Sequence, residues 1–312
     1  MQTPDPKNDI TVPWSSSLSV NSPTLDMHHQ ILIGCLNRLY ILRENWKQAL
    51  PAVGKELRTL INYCRIHFFV EEKAMELAKV PGADREQHQK VHRSIVKKMN
   101  NLWAEFEKNP KTFSFDEALK FFYAWLVKHV QEEDKATYAQ NLRTNRTTEQ
   151  EIRKIRYADV ARKLEMQSKA DEEISLSGKR ILMADRNLDR RTQMMRALQE
   201  QGASVTQTTS IGEARGTIEA LAPDAVIFDW SLDEAKDFAY SMYLTRDTPC
   251  IASWFGEFKD ILDDAEIVGV DNILLHPASA KETVRVVKTT LVGLVPLRAH
   301  VNQQEEDRLA AA

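Results

Sequence analysis

Residues 66–72 read Ile66-His67-Phe68-Phe69-Val70-Glu71-Glu72, and residues 88–92 read His88-Gln89-Lys90-Val91-His92. In both stretches two metal-capable side chains stand four apart, and residues four apart on an α-helix share a face. His67 with Glu71, and His88 with His92, can therefore each direct two donor atoms at one point. Outward from these, His29 precedes the first pair, while His129 and Asp134 follow the second, so the first 140 residues carry the series H…HxxxE…HxxxH…HxxxxD. Four helices with these side chains facing inward would enclose a pair of metal ions.

The intervening sequence supplies the helix ends. Ser22-Pro23 places a capping side chain and then a proline at the first helical position, ahead of His29. Pro51 opens the second helix and Pro81-Gly82 closes it. Asp84 with Gln87 suits the cap of the third, Asn109-Pro110 its end, and Ser114 with Glu117 a capping box for the fourth. Apolar residues keep the helical period around the donors: Leu32, Ile33, Leu36, Leu39 and Tyr40 after His29, Leu60, Tyr63 and Cys64 before His67, and Phe121, Phe122, Trp125 and Leu126 before His129. The donors belong to the buried stripes.

One histidine on an apolar face is ordinarily a core residue with a satisfied hydrogen bond. Five of them beside two acids would leave many polar atoms without water or partner, at roughly 1–3 kcal/mol each, and metal ions remove that cost. Imidazole with carboxylate suits iron, zinc, copper or nickel. No cysteine belongs to the series, which argues against a thiolate zinc site or an iron–sulfur cluster. Asp134 is the irregular member, because five residues beyond His129 it would stand about 140° further round an ideal α-helix. The spacing predicts a π-type widening or a frayed last turn, or else a reach across from the adjacent turn.

Residues 14–140 resemble hemerythrin, the non-heme di-iron oxygen-binding family. Trp14 precedes the bundle, Leu25-Asp26-Met27-His28-His29 stands for its I-D-x-Q-H, and His67 to Glu72 for its H-F-x-x-E-E. His88, His92, Trp125 to His129 and Asp134 complete the pattern. Two departures stand out. His28 replaces the usual glutamine, one residue off the donor face and so expected beside the site or at the surface, and Val20-Asn21-Ser22 replaces the usual valine-glycine start.

The resemblance implies an all-α up-down four-helix bundle. It implies that His88, His92 and His129 hold one iron, His29 and His67 the other, and that Glu71 and Asp134 bridge both alongside an oxo or hydroxo group. One iron position stays open, where dioxygen binds reversibly. Di-iron oxidases of ferritin type use mainly glutamates with Glu-x-x-His spacing, which does not link the ligands here, so binding is favoured over enzymatic turnover. The alternatives are oxygen storage or transport without signalling, and oxidase, peroxidase or nitric-oxide chemistry.

The bundle takes less than half of the 312 residues, so a second domain is expected. Residues 141–177 are charged, with Ile152, Ile155 and Val160 among Arg, Lys, Glu and Asp and no proline or glycine before residue 178. This reads as a solvated helical linker, its apolar repeat being too short and irregular for a coiled coil. Beyond Gly178 short apolar runs alternate with amphipathic stretches, giving strands at 181–184, 203–207, 225–228, 249–253 and 272–275 and a helix at 187–201. Such alternation means a doubly wound α/β fold on a parallel five-stranded sheet, with ligand chemistry at the carboxyl ends of the strands. Asp185, Asp229, Ser253 or Trp254, and His276 stand there.

Residues 178–293 resemble the receiver domain of two-component response regulators. Arg180 to Asp185 is similar to its first strand, Pro223 to Asp229 to the strand ending in its phospho-accepting aspartate, and Asp271 to Pro277 to its last. The resemblance makes Asp229 the candidate phospho-acceptor and Asp185 a magnesium-binding acid. Arg186 replaces the second acid and His276 the usual lysine, and the fourth-strand hydroxyl falls at Trp254 or, one residue earlier, Ser253. A fixed positive charge opposes magnesium, which wants oxygen ligands. Phosphorylation of Asp229 is therefore disfavoured, and Arg186 is expected to pair with Asp229 in a degenerate pocket.

The remaining features bound the setting. Residues 1–13 are expected to be disordered and lack the apolar run of a secretory signal, and no stretch reaches the roughly 18 apolar residues of a membrane span. Residues 294–312 read as a polar tail, with Gln303 to Asp307 in solvent. The 42 Lys plus Arg against 45 Asp plus Glu give a net charge of −3, without the basic face that nucleic-acid binding needs. Cys35, Cys64 and Cys250 are odd in number and widely spaced, as reduced thiols of a cytoplasmic protein are. The sequence thus predicts a bacterial-type cytoplasmic oxygen or redox sensor: a di-iron bundle binding dioxygen, coupled to a receiver-like module that contacts a histidine kinase or a downstream effector. Oxygenation or oxidation would shift the helices bearing Glu71 and Asp134, and the linker would carry the shift onward.

Overall fold

The computed structural model describes residues 12–142, 145–157, 160, 164, 175–293, 296–302 and 304. The chain divides into two compact units, Met1–Ser168 and Lys169–Ala312. Of the N-terminal stretch expected to be disordered, residues 1–11 lie outside the described residues. Val12 is instead anchored, its backbone exchanging hydrogen bonds of 2.7 and 3.0 Å with the Asn37 side chain.

The first unit is built on α1 (Pro23–Leu42), α2 (Leu50–Leu77), α3 (Gly82–Lys108) and α4 (Phe115–Lys128). α2 packs on α1 and α3, and α4 closes the ring on α1. Ser22 Oγ accepts from the Leu25 amide and Pro23 takes the first helical position. Asn21 adopts φ 62°, a left-handed conformation that asparagine tolerates better than most side chains, so it fills the place of the family's glycine. Two caps differ from expectation. α3 begins at Gly82 behind Pro81, so Asp84 lies within the first turn, where its charge suits the helix dipole, instead of capping it. Ser114 occupies the N-cap of α4 without a side-chain bond, and Glu117 pairs with Lys120 at 2.8 Å.

Beyond Lys128 the helix widens, and His129–Ala139 is a π-helix, the first of the geometries that the His129 to Asp134 spacing allowed. Helix α5 (Arg146–Arg153) then lies against α1 and α2. Over its described part the linker is helical at Arg146–Arg153 and again at Tyr157 and Val160, but it is not wholly solvated, since Ile152 and Val160 are 1% and 2% exposed. Two of its few apolar residues are buried, which a composition dominated by charge conceals.

In the second unit β1 (Arg180–Ala184), β2 (Ser204–Thr208), β3 (Ala225–Asp229), β4 (Cys250–Trp254) and β5 (Asn272–Leu275) form one all-parallel sheet in the order β2-β1-β3-β4-β5. The helices between and after them are α6 (Leu188–Gln199), α7 (Ile211–Leu221), α8 (Ala235–Thr245), α9 (Leu262–Ile267) and α10 (Ala280–Val292). Successive strand residues face opposite ways. Leu182, Val226, Phe228 and Ile273 share a core with α7, α8 and α9, while Ile181, Met183, Ile227 and Leu274 share one with α6 and α10. This is the receiver- and flavodoxin-like topology, whose strand order reverses beside β1 and β3.

The C-terminal stretch departs from its polar reading. Leu297, Ala299 and Val301 are buried, and the buried Gln304 amide donates to Asn272 Oδ1 (2.8 Å) on β5, although it was expected in solvent. Gln303 and residues 305–312 lie outside the described residues. Among those described, no helix is long and apolar enough to cross a membrane.

Candidate metal centre

α1 contributes His29, α2 His67 and Glu71, α3 His88 and His92, and the π-helix His129 and Asp134. All seven are no more than 4% exposed. Their donor atoms gather in two groups, Glu71 with His88, His92 and His129, and His29 with His67 and Asp134, each group spanning at most 4.8 Å. Glu71 Oε1 lies 2.8 Å from His88 Nε2, and its Oε2 lies 3.2 Å from His67 Nε2. Asp134 Oδ1 lies 3.1 Å from His129 Nε2, and its Oδ2 lies 3.4 Å from His29 Nε2. Each carboxylate thus faces both groups and stands on the seam between them. For Asp134 the π-helix makes this possible, because an i→i+5 repeat returns the fifth residue to the face of the first.

The opposite ring nitrogens divide the histidines differently. His92 Nδ1 is 2.8 Å from Glu72, His129 Nδ1 is 2.8 Å from Glu133, and His88 Nδ1 is 3.4 Å from Thr137. A carboxylate on Nδ1–H fixes the tautomer and leaves the Nε2 lone pair for a cation. Glu72 and Glu133 were not among the residues singled out from sequence, although Glu72 follows Glu71 and Glu133 stands one helical turn after His129. On the other side of the seam His29 Nδ1 and His67 Nδ1 have no hydrogen-bond partner. His28 is buried beside them, its ring 5.3 Å from Tyr63 in a stacked arrangement and 5.8 Å from His67, so it belongs to the interior and not to the surface.

Electrostatics follow burial first. Desolvation lowers His29 to about 4 and holds His67 well below the ordinary imidazole value, so both rings are neutral near pH 7. Burial also pulls His92 down, but the Glu71 and Glu72 carboxylates outweigh it and raise it to about 9. For Glu71 burial pushes upward, yet the His92 charge and the bonds from His88 and His92 leave it well below the usual range. Burial and the Glu71 charge together raise Asp134. Both nitrogens of His29 and of His67, Glu71 Oε2 and both Asp134 oxygens lack hydrogen-bond partners. Buried polar atoms are rarely left so, and imidazole nitrogens with carboxylate oxygens are the donor set of a transition-metal cation, so the residues fit resident metal ions. Phe68 stacks on His92 with ring centroids 3.9 Å apart, and Trp125 stands edge-on to Phe68 at 5.9 Å, walling the group with apolar rings.

In the second unit Asp185, Asp229 and His276 stand at the carboxyl ends of β1, β3 and β5, but Arg186 does not join them. It pairs with Asp233 at 2.6 Å, both side chains being exposed, which corrects the expected Arg186–Asp229 pair. Arg190 holds that place. Its guanidinium bonds Asp185 Oδ1 at 2.7 Å and contacts Asp229 Oδ2, and it lies 4.8 Å over the Phe255 ring. Asn187 caps α6, so Arg190 is in the first helical turn and folds back over the strand ends, whereas Arg186 precedes the helix. The strand-four hydroxyl is Ser253, paired in register with Asp229 and 2.8 Å from His276 Nε2.

Comparison with known proteins agrees with the first unit's geometry. Residues 21–140 match the family model of the hemerythrin HHE cation binding domain. A bacteriohemerythrin of Stenotrophomonas maltophilia is 26% identical over 132 residues, covering 42% of this chain and 82% of its own. Among solved structures, a two-component response regulator from Clostridium difficile aligns with 22% identity and a TM-score of 0.34, covering 36% of this chain and 96% of that one. The signal receiver domain of a Luxo repressor protein from Vibrio parahaemolyticus aligns with 17% identity and a TM-score of 0.35, covering 42% and 97%. The N-terminal part of the chain is a hemerythrin HHE domain, joined in one polypeptide to a unit of receiver-like fold.

Proposed function

We propose that the bundle holds two iron ions, that this pair binds dioxygen, and that the chain is a cytoplasmic oxygen or redox sensor whose second unit signals by contact with another protein. One observation carries the reading: seven buried donors fall into two groups, each with one carboxylate that also faces the other group. His88, His92 and His129 would hold one ion, His29 and His67 the other, and Glu71 and Asp134 both. When bound, the iron pair supplies an open coordination position and the electrons for reversible dioxygen uptake.

The chain's own groups prepare that site. Glu72 and Glu133 hold the Nδ1 protons of His92 and His129, which aims their Nε2 lone pairs at the ion. Burial keeps His29 and His67 neutral, as ligation requires. The protons on His92 and Asp134 must leave when metal enters, so loading releases protons. Phe68 places an apolar ring beside His92, and Trp125 places one beside Phe68. In the second unit Arg190 already pairs with both Asp185 and Asp229 and fills the place of a cation between them, so a protein contact carries the signal without magnesium-dependent phosphorylation of Asp229.

The test is an absorption titration of reduced, iron-loaded protein with oxygen, followed by oxygen removal, alongside iron analysis. The reading expects two irons per chain, a reversible spectral change, and its loss in His92→Leu. Steady consumption of a reductant would make the protein an enzyme instead. Equal partner binding by the oxygenated and deoxygenated forms would make it an oxygen store.

A further inference from the structure

The segment that leaves the bundle is fastened to it at three points within the first unit. Glu149 clasps the start of α1, accepting from Ser22 Oγ (2.6 Å), the Thr24 amide (2.9 Å) and Thr24 Oγ1 (2.6 Å). The Tyr157 hydroxyl lies 3.4 Å from His28 Nε2. Arg65 donates to the Leu164 carbonyl at 3.3 Å. Tyr157 and Leu164 lie beyond the 21–140 stretch that matches the hemerythrin family model, and His28 stands at the position where that family resemblance has glutamine.

The middle fastening is the one next to the metal donors. His28 precedes His29 and stands among rings, with Tyr63 stacked at 5.3 Å, Tyr157 edge-on at 5.5 Å and His67 at 5.8 Å. His67 in turn lies 4.8 Å from His29. These two histidines are also the donors whose Nδ1 atoms nothing holds, whereas His92 and His129 are each pinned by a carboxylate. A change in what the two groups bind is therefore taken up most easily by rotation of His29 and His67, and in a close-packed interior such a rotation cannot stop there. The next ring is His28, and beyond it is Tyr157.

We propose that the His28–Tyr157 contact is the outlet of the metal centre: it transmits the state of the His29 and His67 side of the site to the segment that runs on toward the second unit. This rests on the proposed metal occupancy and names its route of regulation. His28 and Tyr157 act through the ligands and are positioning residues. Linkage makes the coupling reciprocal, so loosening Tyr157 alters ligand affinity at the centre by the factor with which the centre alters Tyr157.

Full-length iron-loaded protein, prepared reduced and oxidised, is digested briefly with trypsin, and cleavage after Arg153, Lys154 and Arg156, which precede Tyr157, is timed by mass spectrometry. Wild type is expected to differ between the two states by about five-fold or more. In Tyr157→Phe, which keeps the ring and loses only the hydroxyl, and in His28→Gln, the difference is lost while iron content and the visible spectrum stay as in wild type. The redox equilibrium of the iron pair, read as the oxidised fraction at a fixed potential, shifts in both variants relative to wild type, as linkage requires. Equal cleavage of both wild-type states, or an undiminished difference in both variants, overturns the proposal while leaving the iron site standing. Protein that takes up no iron overturns the site and this route together.

Discussion

Removing the Arg190 side chain is expected to destabilise the second unit by about 3 kcal/mol, whereas removing Arg186, four residues earlier, is expected to be nearly silent. The Arg190 side chain is 12% exposed and stands between Asp185 and Asp229, whose side chains are 1% and 10% exposed. Taking one partner out of a buried ion pair costs roughly 3–5 kcal/mol, because the charges left behind are desolvated and unpaired. Residual exposure places Arg190→Ala near the lower end, and loss of the contact with Phe255 adds about 0.5 kcal/mol or more. Spread over the unit Lys169–Ala312, this lowers its melting temperature by roughly 6–12 °C. The Arg186 and Asp233 side chains are 61% and 87% exposed, and such a pair is worth no more than about 0.5 kcal/mol. Scanning calorimetry of the two full-length variants separates the cases, and millimolar magnesium should recover part of the loss in Arg190→Ala and do nothing for wild type. An Arg190→Ala protein that melts with wild type, or an Arg186→Ala protein that falls as far, would refute the assignment of Arg190 as the pocket's resident cation.

Three further outcomes follow from the bundle. Burial lowers His28 to about 3 and His29 to about 4, so their stabilising contribution is complete above pH 6.5 and is lost as pH falls through 4, roughly 3 kcal/mol for His29 alone. His92, raised to about 9, acts with the opposite sign, adding stability below pH 6.5 that disappears as pH rises through 9. Circular dichroism of the metal-free protein should show acid unfolding over this window, and equal stability at pH 4 and pH 7 would contradict it. Glu133→Ala or Glu72→Ala should lower metal affinity about 10–100-fold with the fold intact, measured by chelator competition; unchanged affinity in both would remove their orienting role. Glu149→Ala loses three bonds to the start of α1 and should cost about 1–3 kcal/mol in urea unfolding.

Much of the site was legible because its chemistry is spelled by spacing. The four-residue intervals His67 to Glu71 and His88 to His92 give both the helix and the shared face, and the five-residue interval to Asp134 already demanded a wider turn. Legibility failed where a partner is chosen by a helix's starting point. Arg186 and Arg190 are equally plausible in the sequence, and only the Asn187 cap decides which one folds back over the strand ends. It failed again where a few apolar residues sit among many charges. Ile152 and Val160, like Leu297 and Val301, are too sparse to form a periodic stripe, yet each meets a surface that the rest of the fold has already made. Glu72 and Glu133 look like solvated acids until the ring nitrogens they hold are placed.

The girth of the helix at His129–Ala139 ties one donor to the backbone's phase. An ordinary helix through the same residues would place Asp134 about 140° round from His129 and off the seam, so the carboxylate and the slack in the coil exist only together. A chain one residue shorter between Val130 and Glu132 would place aspartate four residues after His129 and need no slack at all. Such a deletion would free the aspartate from the wide coil but would move Glu133 from its place four residues after His129, where it holds the Nδ1 atom, so the wide coil serves a donor and the acid that orients its neighbour at once.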